Sequence, residues 1–289
     1  MEQEPRVGRR AVLALGAASA LSACATTSGQ RSLRLPTSTA STLTGLPGSA
    51  LPAFEAWRPH AGEEEVAAKF AAVRRIEQIG NTRGRRLHVI DAQYGGLLST
   101  SASVLVVCQS WQTVSASTTP DGHTYDVRVS RVGGGWQVTA IHPSSPGPPI
   151  STLSSSARRV LTSSRISLPP AARADIESGQ VHDTVCDAMT TLATRWSIAV
   201  SVIRSGHPLY VFGTSRLSDH PRGRAFDTWA IDQTPVVSAG SPAKVVPAYM
   251  EALAALGSYN VGGPVLLGAA PQFFSDQTHH DHVHAGFRA

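Results

Sequence analysis

Two short stretches hold the residue types that do chemistry. Ser218-Asp219-His220-Pro221-Arg222-Gly223-Arg224-Ala225-Phe226-Asp227 sets a histidine and an aspartate seven apart around a glycine. Near the end of the chain, His279-His280-Asp281-His282-Val283-His284 packs four histidines and an aspartate into six residues. Imidazole and carboxylate are donors that zinc takes, and hydrolytic zinc sites keep three protein ligands and one open position for water. His220 and Asp227 can be two of those ligands. Gly223 lets the chain fold back, so that a loop histidine and a strand-borne aspartate face one place. Alternation along a strand puts His282 and His284 on the same side. Asp281, at the start of that strand, can hold a water. The order and spacing of the two stretches, the glycine turn and Arg204 ending the preceding strand combine into one expectation, a metal site built from both.

The elements that must position these residues are legible in outline. Pro169-Pro170 open the segment. Val181, Val185, Met189 and Leu192 recur at helical spacing and mark a core-facing helix. Ser197 to Ile203, S-I-A-V-S-V-I, reads as a buried strand, and Arg204-Ser205-Gly206-His207 ends it. Ala225 to Ile231 is the next strand. Ser241-Pro242 caps a helix whose stripe is Val246, Tyr249, Met250 and Leu253, stopped by Gly257. The last strand carries His282 to Phe287.

The N-terminal part is organised differently. Arg6, Arg9 and Arg10 precede a short apolar run, Ala11 to Ala20, too short to span a bilayer. Leu21-Ser22-Ala23-Cys24 follows and resembles a bacterial lipobox, cut before Cys24, whose thiol is then acylated. Residues 1–23 are thus expected to be a lipoprotein signal peptide, with export by the general or the twin-arginine route left open. Residues 24–52, rich in Ser, Thr and Pro, form a tether. From residue 53 to 142 a small α+β unit is expected. Glu63-Glu64-Glu65 suits a helix N-terminus, and Val66, Phe70, Val73 and Ile76 form its apolar stripe. Strands follow at 86–90, 103–108, 125–129 and 136–141, the last two joined through Gly133-Gly134-Gly135 as a hairpin. The unit resembles the curved-sheet cone of nuclear-transport-factor-like domains, and its histidines (His88, His123, His142) are scattered singly. Residues 143–168 form a Pro- and Ser-rich linker with a helix or extended arm over 157–168. Residues 169–289 form the second domain.

Composition excludes several classes. The chain has 289 residues, 42% hydrophobic and 16% charged, so most of it can fold. The formal charge of +5 falls to +4 once a leader with three Arg and two Glu is removed. No Lys/Arg cluster with interleaved aromatics points to nucleic acid. Cys24 is committed to the anchor, and Cys108 and Cys186 can be a bridge or two buried thiols.

Ser218-x-His220-x-x-Gly223-x-Ala225-x-Asp227 resembles the S-x-H-x-x-G-x-A-x-D signature of zinc D-alanyl-D-alanine carboxypeptidases and dipeptidases. That family belongs with lysostaphin-type peptidases and the hedgehog signalling domain in one zinc fold. Asp281-x-x-His284 resembles its closing acid-x-x-His, with aspartate where the dipeptidases use glutamate. The resemblance covers roughly residues 175–287. It implies an α+β fold with an antiparallel sheet, and Zn²⁺ held by His220, Asp227 and His284. It further implies Asp281 as general base and His282 stabilising charge in the transition state. Arg204 would hold the substrate's terminal carboxylate beside Ser218, with Arg216, Arg222 and Arg224 as nearby rivals. The expected protein is therefore a zinc metallopeptidase. It would be lipid-anchored at the outer face of the cell membrane through Cys24 and act on peptidoglycan stem peptides, with the bond cut left open. The alternative is a zinc-stabilised binding module without turnover.

Overall fold

The computed structural model describes residues 51, 53–114, 117–237 and 244–288. The leader, Cys24, nearly all of the tether and the Ser241-Pro242 helix cap lie outside the described residues.

The described chain is mixed α+β, with two sheets and two main cores. Helix α1 (Val66–Gly80) leads into five antiparallel strands: β1 (Arg85–Leu97), β2 (Ser101–Val114), β3 (Ser117–Asp121), β4 (Thr124–Val132) and β5 (Gly135–Pro143). Their order is β1-β2-β4-β5, with β3 on β2. α1 buries Ala68, Ala72, Val73 and Ile76 against Val89, Tyr94, Val104, Val106 and Val127. The expected stripe through Val66 and Phe70 is rotated. The buried face runs Lys69, Ala72, Val73, Ile76, and it carries a lysine. Tyr94 donates from its hydroxyl to Glu65 O at 2.9 Å, tying the start of α1 to β1. The three glutamates before α1 do more than complement its dipole. Glu65 pairs with Arg131 at 2.6 Å, and Glu63 pairs with Lys69.

The linker is laced down. Ile150 N donates to Glu177 O at 2.9 Å, and Pro146 O accepts from both Arg204 and Gln180. Helix α2 (Ser155–Thr162) falls where an arm or helix was expected and is capped by Ser154 Oγ accepting from Ala157 N. Then come β6 (Ile166–Ser167), α3 (Pro170–Glu177), α4 (Asp183–Leu192), β7 (Ile198–Val202), β8 (Ala225–Ile231), β9 (Thr234–Pro235), α5 (Val245–Ala255), β10 (Asn260–Gly262), β11 (Phe273–Phe274) and β12 (Val283–Gly286). The second sheet runs β11-β10-β12-β8-β7-β6, with β9 on β8. It is mixed, because β10–β11 and β6–β7 pair in parallel. β8 is buried along its whole length between β12 and β7. That central place explains why Ala225 to Ile231 reads as a nearly continuous apolar run.

Leu105, Val107 and Val202, with Ile90, form a small third cluster that joins β1 and β2 to β7. Cys108 and Cys186 are free and buried in separate cores. Among the described residues no helix is long and apolar enough to cross a membrane.

Candidate metal centre

β8 and β12 pair antiparallel, and their register sets His284 opposite Asp227. The chain reaches β8 through a short 3-10 turn, His220–Arg222, closed by Gly223 at φ 67°. A side chain at Gly223 would strike Gln180 O at 2.0 Å, so both the backbone angle and the space require glycine there. The turn brings His220 over the strand pair. His220 Nε2 lies 3.2 Å from Asp227 Oδ1 and 3.1 Å from His284 Nδ1, and His284 Nδ1 lies 3.0 Å from Asp227 Oδ1. All three side chains are buried.

These separations suit one small ion. Ligands about 2.0–2.1 Å from a tetrahedral centre lie roughly 3.3–3.4 Å from one another. The tautomer of His220 also fits. Its Nδ1 donates to Ile203 O at 2.8 Å, which leaves the Nε2 lone pair facing Asp227 and His284. His220 and Asp227, grouped with His207, are a His/Asp cluster whose ligand atoms lie close enough together to hold a metal ion. Burial opposes the charge on Asp227, but the facing His220 and His282 hold its carboxyl well below the usual range. Burial pushes His284 down to about 4, so it stays neutral, as a ligand must.

His207 completes the ring of imidazoles, and sequence reasoning did not single it out. Its ligand nitrogen lies within 4.8 Å of the ligand atoms of His220 and Asp227. The ring stacks on His220 at 4.0 Å and 16°. Parallel stacked rings send their lone pairs side by side rather than to one point, so His207 braces His220 as a wall. Burial and the neighbouring His220 keep it neutral. Its only sequence signal was its place just after the strand-ending Arg204.

His282 lines the same cleft as His220 and His284. Its Nδ1 donates to Asp281 Oδ1 at 2.6 Å, and its Nε2 lies 3.8 Å from Asp227 Oδ2. Burial lowers its basicity, but Asp227 and Asp281 outweigh that, and the net direction is up.

Two assignments change. Asp281 does not line the cleft, and both its oxygens are engaged. Oδ1 accepts from His282, while Oδ2 accepts from Tyr94 N at 3.0 Å and pairs with Lys69 Nζ at 2.7 Å. Burial opposes its charge, yet Lys69 and the His282 contact hold it well below the usual range. It anchors His282, and both its oxygens are held by protein donors. Arg204 also points elsewhere. Its guanidinium donates to Pro146 O at 2.6 Å and sits 3.6 Å from Asp175, outside the cleft lining. Of its three rivals, Arg216 is exposed and lines the cleft, whereas Arg222 faces Asp219 at 3.6 Å. Ser218 lines the cleft, and its hydroxyl approaches His207 Nδ1 at 3.4 Å.

The cleft has a volume of about 640 Å³. Its lining takes in Tyr94 to Leu98 at the end of β1, residues of the loop between His207 and Ser218, and Phe274 and His279. The first two of these segments meet tightly. A side chain at Gly96 would strike Phe212 Cβ at 2.0 Å, and Arg128 stacks over the Phe212 ring at 5.2 Å. The N-terminal sheet therefore helps to shape the cleft, a contribution absent from the expectations for residues 53–142.

No protein-family model, curated protein or solved structure matches this chain. The reading of the site therefore rests on its own geometry.

Proposed function

We propose that this protein is an exported zinc-dependent peptidase acting on peptidoglycan stem peptides, in the manner of D-alanyl-D-alanine carboxypeptidases. The fold proposed for residues 169–289 is the zinc fold those enzymes share with lysostaphin-type peptidases and the hedgehog domain. One observation carries the reading. His220 Nε2, Asp227 Oδ1 and His284 Nδ1 converge to within 3.2 Å, and His220 and His284 line a cleft together with a carboxylate-anchored histidine, His282. A set of three imidazole and carboxylate ligands is that of a hydrolytic zinc site, and zinc held there would acidify a water and polarise a carbonyl.

The chain's own residues divide the remaining work. Asp281 fixes His282 with Nδ1 protonated, which leaves Nε2 as the base. Nε2 takes the proton from the attacking water and returns it to the leaving amine as the C–N bond breaks. This reassigns the base from Asp281 to His282 and makes the pair an orienting dyad. Arg216, on the cleft wall, takes over from Arg204 as the group that meets a terminal carboxylate. The lipobox-like Leu21 to Cys24 would put the site outside the cell, where such peptides occur.

The test is to incubate zinc-loaded protein with purified muropeptides and identify products by mass. Loss of a terminal D-alanine is expected. His282→Ala should retain zinc and lose on the order of 10²- to 10⁴-fold in kcat. Arg216→Ala should lower kcat/KM for a free-acid peptide far more than for its amide. Zinc-loaded wild type that forms no product from any muropeptide would favour the binding module instead.

A further inference from the structure

We infer that Gln93, on β1 of the N-terminal sheet, is a positioning residue for the metal centre and holds Asp227 so that Oδ1 faces His220 and His284. The inference rests on the metal-site reading above. Gln93 lies 134 positions before Asp227 and belongs to the other sheet, yet its Nε2 donates to Asp227 Oδ2 at 2.6 Å. The side chain is buried, and its Oε1 accepts from the hydroxyl of Ser201 on β7. Ser201 Oγ also lies 3.3 Å from the backbone oxygen of Asp227. Chemistry fixes the direction of this chain of contacts. An ionised carboxylate only accepts, so the amide nitrogen must face Asp227 and the amide oxygen must face the serine hydroxyl.

The contact divides Asp227 into two halves. Oδ1 meets the two ligand imidazoles, and Oδ2 is taken by Gln93. The next nearest partner of Oδ2 is His282 Nε2, at 3.8 Å. Among the described residues no other hydrogen-bond donor reaches Oδ2, so without Gln93 only the contacts at Oδ1 orient the carboxylate. Outer partners of metal ligands typically contribute about 10- to 100-fold in metal affinity. β1 can reach this far because its end lies against the second sheet. Tyr94, the next residue, sends its backbone N–H to Asp281 Oδ2 at 3.0 Å, while its side chain turns back to the start of α1. Consecutive residues of one strand thus hold Asp227 and Asp281 in turn, and strand alternation lets a single β1 serve both the N-terminal core and the metal centre.

The test compares wild type, Gln93→Met, Ser201→Ala and the double variant in the full chain. Three quantities are measured: zinc affinity by chelator competition, the absorption spectrum of the cobalt-loaded protein, and urea unfolding of the metal-free protein. Gln93→Met should weaken zinc about 10- to 100-fold and shift the cobalt bands. Ser201→Ala should do the same to a smaller degree. The double variant should bind zinc no more weakly than Gln93→Met, because Ser201 acts through the amide. Unchanged affinity and spectrum, with only a loss of metal-free stability, would reduce Gln93 to packing and overturn the inference. Should Gln93→Met fail to fold, an unchanged affinity and spectrum in Ser201→Ala has the same force. Wild type that binds neither zinc nor cobalt would sink the metal reading itself, an outcome distinct from a wild type and variants that bind alike.

Discussion

Two clusters of the same donor types lie on either side of His282, and they do opposite things. His220, Asp227 and His284 converge with no Lys or Arg paired to Asp227 among the described residues. Glu63, His280 and Asp281 also bring ligand atoms within 4.8 Å of one another. The second cluster, however, already contains a cation. Lys69 is fully buried, with Nζ against Glu63 and 2.7 Å from Asp281. Burial disfavours its charge, but Asp281 and Glu63 outweigh that and raise its pKa. The imidazole of His280 is occupied too, at Nε2 by Glu64 N and at Nδ1 by Gln277 O. A carboxylate–imidazole cluster is thus open to a metal ion only where no protein cation fills it. Here the filled cluster anchors the open one, through Asp281 and His282.

The sharpest way to break this comparison is to remove a ligand from each cluster. His220→Ala or His284→Ala should leave no zinc bound at micromolar metal, because two remaining ligands make an incomplete shell. His280→Ala should keep one zinc per chain. Elemental analysis after gel filtration reads both, and a wild type with two zinc ions, or a His280→Ala protein with none, would erase the distinction.

Removing the resident cation comes next. Lys69→Met keeps most of the side-chain volume but leaves Glu63 and Asp281 buried without a counter-charge. Breaking a buried pair from one side typically costs about 3–5 kcal/mol, so the urea midpoint of the metal-free protein should fall accordingly. Asp281 then loses one of its two fixed contacts at Oδ2, and kcat should drop while zinc stays bound. A stable Lys69→Met protein with unaltered kcat would mean that the filled cluster does nothing for the open one.

The two clusters also differ in how far the sequence revealed them. The convergence of the open one was legible, because its residues sit in two compact motifs whose spacing follows from a turn and a strand. Strand β8 spans Ala225–Ile231, as its apolar run suggested. The filled one was not legible. Lys69 looks like any helix-surface lysine, although it falls three and seven residues before Ala72 and Ile76 on the buried face. The expected stripe shares Val73 and Ile76 with the buried face, but its first two members, Val66 and Phe70, passed over Lys69 and Ala72. Gln93 and Tyr94 lie 134 and 187 positions from their partners, a separation no local period encodes. Arg204 was misplaced for a related reason. Ending a strand before the motif is a local property, whereas the carbonyls of the 145–146 linker that capture its guanidinium belong to the tertiary fold. The contacts of Asp281 were hidden for the same reason, since a carboxylate inside a histidine motif looks free until its distant partners, Lys69 and the Tyr94 N–H, are known.

The smallest effect tests the charge balance of the filled cluster. Lys69 faces a third carboxylate, Asp91, which is buried with Oδ2 lacking any hydrogen-bond partner. Burial pushes the Asp91 carboxyl up to about 7, with Lys69 opposing the rise and Asp281 and Glu63 adding to it. The folded pKa therefore lies above the ordinary carboxylate value near 4. Between those two values the folded state binds more protons than the unfolded state, so stability falls as pH rises. The contribution of Asp91 is fully present below about pH 4 and lost by about pH 7, above which the penalty is constant. Asp91→Asn carries no such charge. It should match wild type near pH 4 and become more stable from there to pH 7, by about 1–3 kcal/mol at pH 8. Urea unfolding of both proteins at pH 4.5, 6 and 8 reads the divergence. Curves that stay parallel across that range would show that the charge on Asp91 carries no penalty in the folded state, and that Lys69 offsets it even with Glu63 and Asp281 alongside.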